Sequence, residues 1–307
     1  MRTGRRRCVS ALLGAALLGC GAGGGAGPGE APPAPTVIST DSLATLLDRA
    51  SILDVRTDFA AYLRSHVPGA VYLNTETLRA AAGGIPNLLL PGESYRTLFG
   101  RLGVTHDRPV VIYSAGETRN IDATYVAWIL AGFGHSRVHL LDGGFGKWEA
   151  EHRPTSRRYP RVPMTRFTGR PFRPERVGLE EVRRALGRPG VVIVDARSPE
   201  QYRGEAGPQM RRGHIPGAVN HHWQSDLARV DFAVVWRPVE ELRRAYAGQG
   251  ITPDREILVY CNGGLESSHV HFALRYLLGY PRVRVYDGSF TEWAEREELP
   301  VERSAIE

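Results

Sequence analysis

From residue 36 onward, short apolar runs rich in β-branched residues alternate with longer amphipathic stretches. Residues 51–53, 110–113, 191–194 and 256–260 read as buried strands, because each is short, apolar and bounded by polar or Gly-containing segments. Residues 43–49 and 179–186 read as helices ahead of two Asp-x-Arg strands, and residues 122–130 and 267–278 as longer helices after the strands that end at Tyr113 and Tyr260. Strands that alternate with helices predict an α/β fold layered around a mostly parallel sheet. In both halves a strand, a Gly-containing turn and a helix follow in immediate succession. This places the turn at the carboxyl end of a sheet strand, where open α/β sheets bind their ligands.

The pattern is written twice. Asp54-Val55-Arg56 returns as Asp195-Ala196-Arg197, 141 residues later. His66-Val67-Pro68-Gly69-Ala70 returns as His214-Ile215-Pro216-Gly217-Ala218 at 148, and the strand ending at Tyr113 as the one ending at Tyr260 at 147. Leu141-Asp142-Gly143-Gly144-Phe145 with Trp148 returns as Tyr286-Asp287-Gly288-Ser289-Phe290 with Trp293 at 145. A unit of this length, far above the 20 to 50 residues of a solenoid repeat, predicts two tandem domains, 36–150 and 176–307. Residues 151–175 between them are rich in Arg and Pro without an apolar period, and read as a linker draped over the surface with solvated arginines.

The start of the chain has a different character. Arg2, Arg5, Arg6 and Arg7 precede an apolar run from Val9 to Leu18, too short to span a bilayer, and the run ends in Leu17-Leu18-Gly19-Cys20. Residues 1–19 therefore read as a signal peptide. The ending resembles the lipobox of bacterial lipoproteins, which implies acylation at Cys20, with 20–35, almost all Gly, Ala and Pro, as a flexible tether. The expected location is the cell envelope, exported and anchored in a membrane through that lipid. This reading also changes the charge. The whole chain carries +6, but without those four arginines it has 35 basic against 33 acidic residues, so a nucleic-acid or other polyanion partner loses its support.

Of three cysteines, Cys8 lies in the signal segment and Cys20 at its end, which leaves Cys261 as the one thiol of the folded body. An intrachain disulfide and a multi-cysteine metal site are excluded there. The histidines, including His221-His222 and His269 with His271, lack a recognisable metal-site spacing, and no metal or organic cofactor is expected. Cys261 opens the loop Asn262-Gly263-Gly264-Leu265-Glu266, between a strand and a helix expected to start near Ser267. Two glycines allow backbone N–H groups to turn inward around the sulfur. With the helix amino end, such a nest would stabilise an anion, and the thiol is expected to be ionised near neutral pH and reachable.

These four motifs, in order in both halves, resemble the rhodanese family, specifically its two-domain sulfurtransferases that act on thiosulfate or 3-mercaptopyruvate, over about residues 36–303. The resemblance implies two rhodanese-like domains, and a Cys261 that takes a sulfane sulfur from a small anionic donor and passes the persulfide sulfur to cyanide or a thiol. Position 114, the counterpart of Cys261, is a serine, so the first domain is read as non-catalytic. His66 and His214, like Asp54 and Asp195, occur in both halves and are assigned structural roles.

The second half carries seven extra residues between its Asp and His, a segment holding Arg203, Arg211 and Arg212. Insertions of this kind help form the active-site entrance in the family. Arg197 and Arg203 are the expected donor-anion ligands, with Arg211 and Arg212 behind them. The loop departs from the family forms Cys-Arg-Lys-Gly-Val-Thr and Cys-Gly-Ser-Gly-Val-Thr. It lacks a cation, and Glu266 stands in place of Thr, where an inward carboxylate would repel anionic donors and raise the thiol pKa.

Three rival readings carry their own signatures. A cysteine phosphatase needs an arginine after five intervening residues, where this chain has Ser267. A persulfide carrier or redox-sensing module would have the same site without turnover, and a structural envelope lipoprotein would have an unreactive Cys261.

Overall fold

The computed structural model describes residues 35–116 and 120–304. The segment read as a signal peptide, the expected acylation site Cys20 and nearly all of the expected tether lie outside the described residues.

Two five-stranded parallel sheets account for the doubled sequence. The first contains β1 (Thr36–Ile38), β2 (Ser51–Asp54), β3 (Val71–Tyr72), β6 (Val110–Tyr113) and β7 (Val138–Leu141), with a separate antiparallel hairpin of β4 (Arg79–Ala82) and β5 (Ile85–Leu89). The second contains β8 (Arg176–Val177), β9 (Val191–Asp195), β10 (Val219–Asn220), β13 (Glu256–Tyr260) and β14 (Val283–Tyr286), with a hairpin of β11 (Leu227–Val230) and β12 (Ala233–Trp236). The strand orders β1-β7-β6-β2-β3 and β8-β14-β13-β9-β10 are the same topology written twice. Parallel strands buried on both faces explain why the central runs are continuously apolar instead of alternating.

The helix boundaries shift from the sequence reading by one or two residues at Asn120–Gly132 and Leu179–Ala185, and differ more tellingly at two places. In the first half the helix is Thr40–Ala44, capped by the Ser39 hydroxyl on the Ser42 N–H, and residues 45–49 form turns. In the second half the helix begins at Leu265, two residues before the expected start, because Gly264 takes the left-handed conformation (φ +97°) that ends the loop at once. After Phe272 that helix widens into a π-helical turn, Ala273–Leu277. The linker is also less passive than its composition implied. Its arginines are largely exposed, but Phe167 is buried in the first-half core against Phe99 and Phe133.

The two halves share a junction that the repeat itself builds. The helices Asn120–Gly132 and Leu265–Phe272 pack together, with the Thr124 and Ser268 hydroxyls 3.1 Å apart. The first-half core continues into Phe272 and Val285 of the second. Each hairpin then reaches across: the Leu89 N–H donates to Asp287 at 3.3 Å, and the Trp236 N–H donates to Asp142 at 3.1 Å. The repeated Asp-Gly motif is thus the socket for the other half's hairpin.

Candidate functional site

Cys261 follows the last residue of the central strand β13, at the junction of the halves. Its backbone is pinned on both sides. The Cys261 N–H donates to the Ser289 hydroxyl at 3.3 Å, and its carbonyl accepts from the Phe290 N–H at 2.9 Å. Ser289 holds φ at +52°, in the left-handed region that favours glycine, and the matching residue of the first half is Gly144 at +56°. A side chain tolerated there supplies a hydroxyl that the first half lacks. The signal for Ser289 was present as the Gly-to-Ser difference between the two Asp-Gly motifs, and sequence reasoning passed over it.

Around the sulfur, the Gly264 N–H donates at 3.1 Å and the Ser267 Oγ lies 3.5 Å away. The inward-turned amide expected of the Gly-Gly loop is therefore in place, at the amino end of the helix Leu265–Phe272.

The expected ionisation is corrected. Cys261 is 1% exposed, and burial raises its pKa, with the Glu266 carboxylate raising it further. The Ser267 hydroxyl and the N–H groups of Ser267 and Gly263 pull only part of this back. The resting residue is a neutral thiol closed over by its own loop. Glu266 faces inward, within hydrogen-bonding reach of the thiol and of the Asn262 N–H; burial and then Asp195 push its carboxyl up to about 7.

The two predicted anion ligands are corrected as well. Arg197 is 1% exposed and committed to the protein. Its Nε donates to Asp195 Oδ1 at 2.9 Å, its Nη2 to Asp195 Oδ2 at 2.6 Å and to the Gly213 carbonyl at 2.7 Å, while the guanidinium lies 4.0 Å over Phe290. Arg56 repeats this clamp with Asp54, the Ser65 carbonyl and Phe145, where there is no thiol to serve. The arginine ties strand end to turn, with its Nε and Nη2 committed to that clamp and not to a donor anion. Arg203 spends its fork on Glu205, at 2.8 and 2.9 Å. Arg211 donates to the Arg296 and Leu299 carbonyls, and the Arg212 carbonyl accepts from Arg303.

What the insertion brings to the site is amide. Gln209, nearly buried, donates to Asn262 Oδ1 and to the Thr291 hydroxyl, both at 3.0 Å, and Asn262 Nδ2 donates to Gln201 Oε1 at 3.0 Å. The residue after the cysteine is held by both ends of its side chain. Neither glutamine stood out in the sequence, where the charged residues of the same segment drew attention.

His66 and His214 do what their repetition implied: the Nδ1–H of each donates to a main-chain carbonyl of the preceding helix, Tyr62 and Tyr202, at 2.8 Å, and the ring stacks on that tyrosine. Asp54 and Asp195 brace their turns and also accept from Tyr113 and Tyr260, each at 2.7 Å. Ser114, the counterpart of Cys261, is buried with a hydroxyl that has no partner among the described residues. A cleft of about 600 Å³ between the helix Gly92–Arg101 and linker residues 164–169 does not include Cys261 in its lining.

Comparison with known proteins agrees with this architecture. A model of the rhodanese-like domain matches residues 39–151 and 178–296. A Synechococcus elongatus protein named "Putative thiosulfate sulfurtransferase" is 36% identical over 257 residues, 82% of this chain and 79% of its own length. The Thermus thermophilus "Sulfur carrier protein TtuD" is 36% identical over 281 residues, covering 86% and 95% of the two chains. Among solved structures, EanB with ergothioneine covalently linked to a persulfide cysteine superposes with a TM-score of 0.76 at 25% identity, over 88% of this chain and 70% of that one. The doubled sheet, the matched domains and these relatives together make the chain a two-domain member of the rhodanese family of sulfurtransferases and sulfur carriers.

Proposed function

We propose that this chain moves a sulfane sulfur from a small anionic donor, thiosulfate or 3-mercaptopyruvate, through a Cys261 persulfide to a nucleophilic acceptor such as cyanide or a thiol. The observation that carries the reading is the Gly264 N–H directed at the Cys261 sulfur, at the head of a helix, in the half of the repeat that has a thiol. The persulfide is the anion this cradle suits, since it carries its charge on the outer sulfur and has a lower intrinsic basicity than a thiolate.

The neutral resting thiol requires a proton acceptor, and Glu266 supplies one with a pKa near the working pH. With thiosulfate, the Cys261 sulfur attacks the outer sulfur as its proton passes to Glu266. The S–S bond of the donor breaks, and its electron pair leaves with sulfite, which takes up the proton. Cyanide or a thiolate then attacks the outer persulfide sulfur, and the Cys261 sulfur leaves with the electron pair and is reprotonated. This is a two-step covalent cycle.

Exposure to each donor should add one sulfur, about 32 Da, to the intact chain, and Cys261→Ser should abolish the gain. Absence of that gain with both donors would refute the proposal. The similarity to a sulfur carrier supports a second reading, in which the persulfide is handed once to a partner protein. Sustained thiocyanate production from thiosulfate and cyanide selects the enzyme, and one stoichiometric transfer followed by a stall selects the carrier.

The amino terminus belongs to the same proposal: residues 1–19 are removed, Cys20 is acylated, and the body is tethered at the cell envelope. The mature protein should enter the detergent phase, and Cys20→Ser should not; a Cys20→Ser chain that stays membrane-bound would refute the anchor.

A further inference from the structure

The Cys261 loop is walled on one side by the half of the molecule that has no thiol. Arg79 Nη1 donates to the Gly263 carbonyl at 3.5 Å. A Cβ at Gly263 would lie 3.1 Å from Asn87, and one at Gly264 would lie 3.3 Å from the Tyr125 ring, so a side chain at either glycine would press on the other half. Arg79 and Asn87 come from the β4–β5 hairpin and Tyr125 from the helix Asn120–Gly132.

Two of these side chains hold donors with no partner among the described residues. The Arg79 side chain is 10% exposed; Glu76 pairs its Nη2, and its Nε is unpaired. Tyr125 is fully buried with its hydroxyl unpaired, and its field is coupled to both Arg79 and Cys261. Folded proteins rarely leave buried donors unmatched, and a charged donor such as the free Arg79 Nε–H is matched most strongly by an anion. Meanwhile the loop contains no cation, Glu266 is its one charged side chain, and the forks of Arg197 and Arg203 are occupied.

We propose that Arg79 and Tyr125 form the anion-recognising wall of the donor site. They bind the charged sulfonate or carboxylate end of a small sulfur donor, and its transferable sulfur is left to face Cys261. The inference rests on the sulfur-transfer reading of Cys261 and adds to it a role for the first domain in donor selection. It also explains how a loop with an acid in place of a cation can accept an anion: the positive charge comes from the other domain.

The test uses the full-length chain. Thiosulfate binding to Cys261→Ser protein is measured by titration calorimetry, with and without Arg79→Gln, Arg79→Lys or Tyr125→Phe. Arg79→Gln should weaken binding about 10- to 100-fold and Tyr125→Phe about tenfold, with Arg79→Lys in between, as for hydrogen bonds to a charged group. In the Cys261-containing protein, sulfur uptake from a neutral organic trisulfide, followed by intact mass, should change less than about threefold in Arg79→Gln, because no charge needs recognition there.

Thiosulfate affinity that is absent in the parent, or unchanged by both Arg79→Gln and Tyr125→Phe, overturns the inference. So does a parallel loss with the trisulfide, which would make Arg79 a prop for the loop. Binding that follows the expected order without any mass gain would instead overturn the sulfur-transfer reading and leave the anion wall standing.

Discussion

Replacing Arg197 by Gln separates a structural arginine from a substrate ligand. The substitution removes a guanidinium that is 1% exposed and leaves Asp195, with no exposure at all, holding an uncompensated charge. Contacts at 2.6, 2.7 and 2.9 Å and the stack on Phe290 disappear together, and the Gly213 carbonyl loses its donor. Breaking a buried pair in this way costs about 3 to 5 kcal/mol, because the desolvated partner stays behind. For a chain of 307 residues, whose unfolding entropy is about 0.6 kcal/mol/K, that corresponds to a fall in Tm of about 5 to 8 °C. Arg56→Gln has the same geometry around Asp54 and should cost the same, although no thiol is near it. Scanning calorimetry on both variants, with the KM for thiosulfate taken well below either transition, provides the comparison. The expected result is two similar drops in Tm with a KM within about threefold of wild type. An Arg197→Gln protein that keeps its Tm but loses donor affinity more than tenfold, while Arg56→Gln does neither, would refute the structural assignment.

Further outcomes are expected at the loop. Because burial raises the Glu266 carboxyl from 4.5 to about 7, its contribution to stability is full below about pH 4.5 and is lost as pH rises through 7, by at most about 3 kcal/mol. Glu266→Gln should flatten that loss and, by removing the neighbouring charge, move the pH profile of Cys261 alkylation to lower pH; a profile that does not move refutes the inward coupling. Ser289→Ala should destabilise by about 1 to 3 kcal/mol in urea titrations by unpairing the Cys261 N–H, and Ser289→Gly should recover about 1 kcal/mol of this by accepting φ +52°; a Gly variant no better than the Ala one would argue against strain. Gln209→Ala should release one end of Asn262 and speed iodoacetamide labelling of Cys261 severalfold at fixed pH, whereas an unchanged rate would show that the amide clamp does not control access.

The candidate site was legible to the extent that chemistry follows the chain locally. A single thiol in the body, a Gly-Gly turn between strand and helix, and a serine at the matching position of the other half located Cys261 and its cradle without coordinates. The state of that thiol was not legible. Ionisation depends on how much solvent the surrounding elements exclude and on which way Glu266 points, and neither is written in the loop's own residues. Arg197 shows the same division from the other direction: its repetition as Arg56 already hinted at a structural role, but only the occupied fork and the Phe290 stack decided it.

The doubled motifs, their register and the strand–turn–helix order were determined by sequence alone, because parallel strands buried on both faces demand continuous apolar runs and because a repeated pattern must fold twice in the same way. The contribution of the first half to the site was decided only by tertiary structure. Arg79, Asn87 and Tyr125 are more than 130 residues from Cys261 in the chain and belong to no motif. They meet its loop because each half's hairpin docks on the other's Asp-Gly turn, through the Leu89 N–H on Asp287 and the Trp236 N–H on Asp142. Local sequence encodes which elements form. The pairing of desolvated donors with acceptors across a packed junction depends on the whole fold, since only there are both partners removed from water at once.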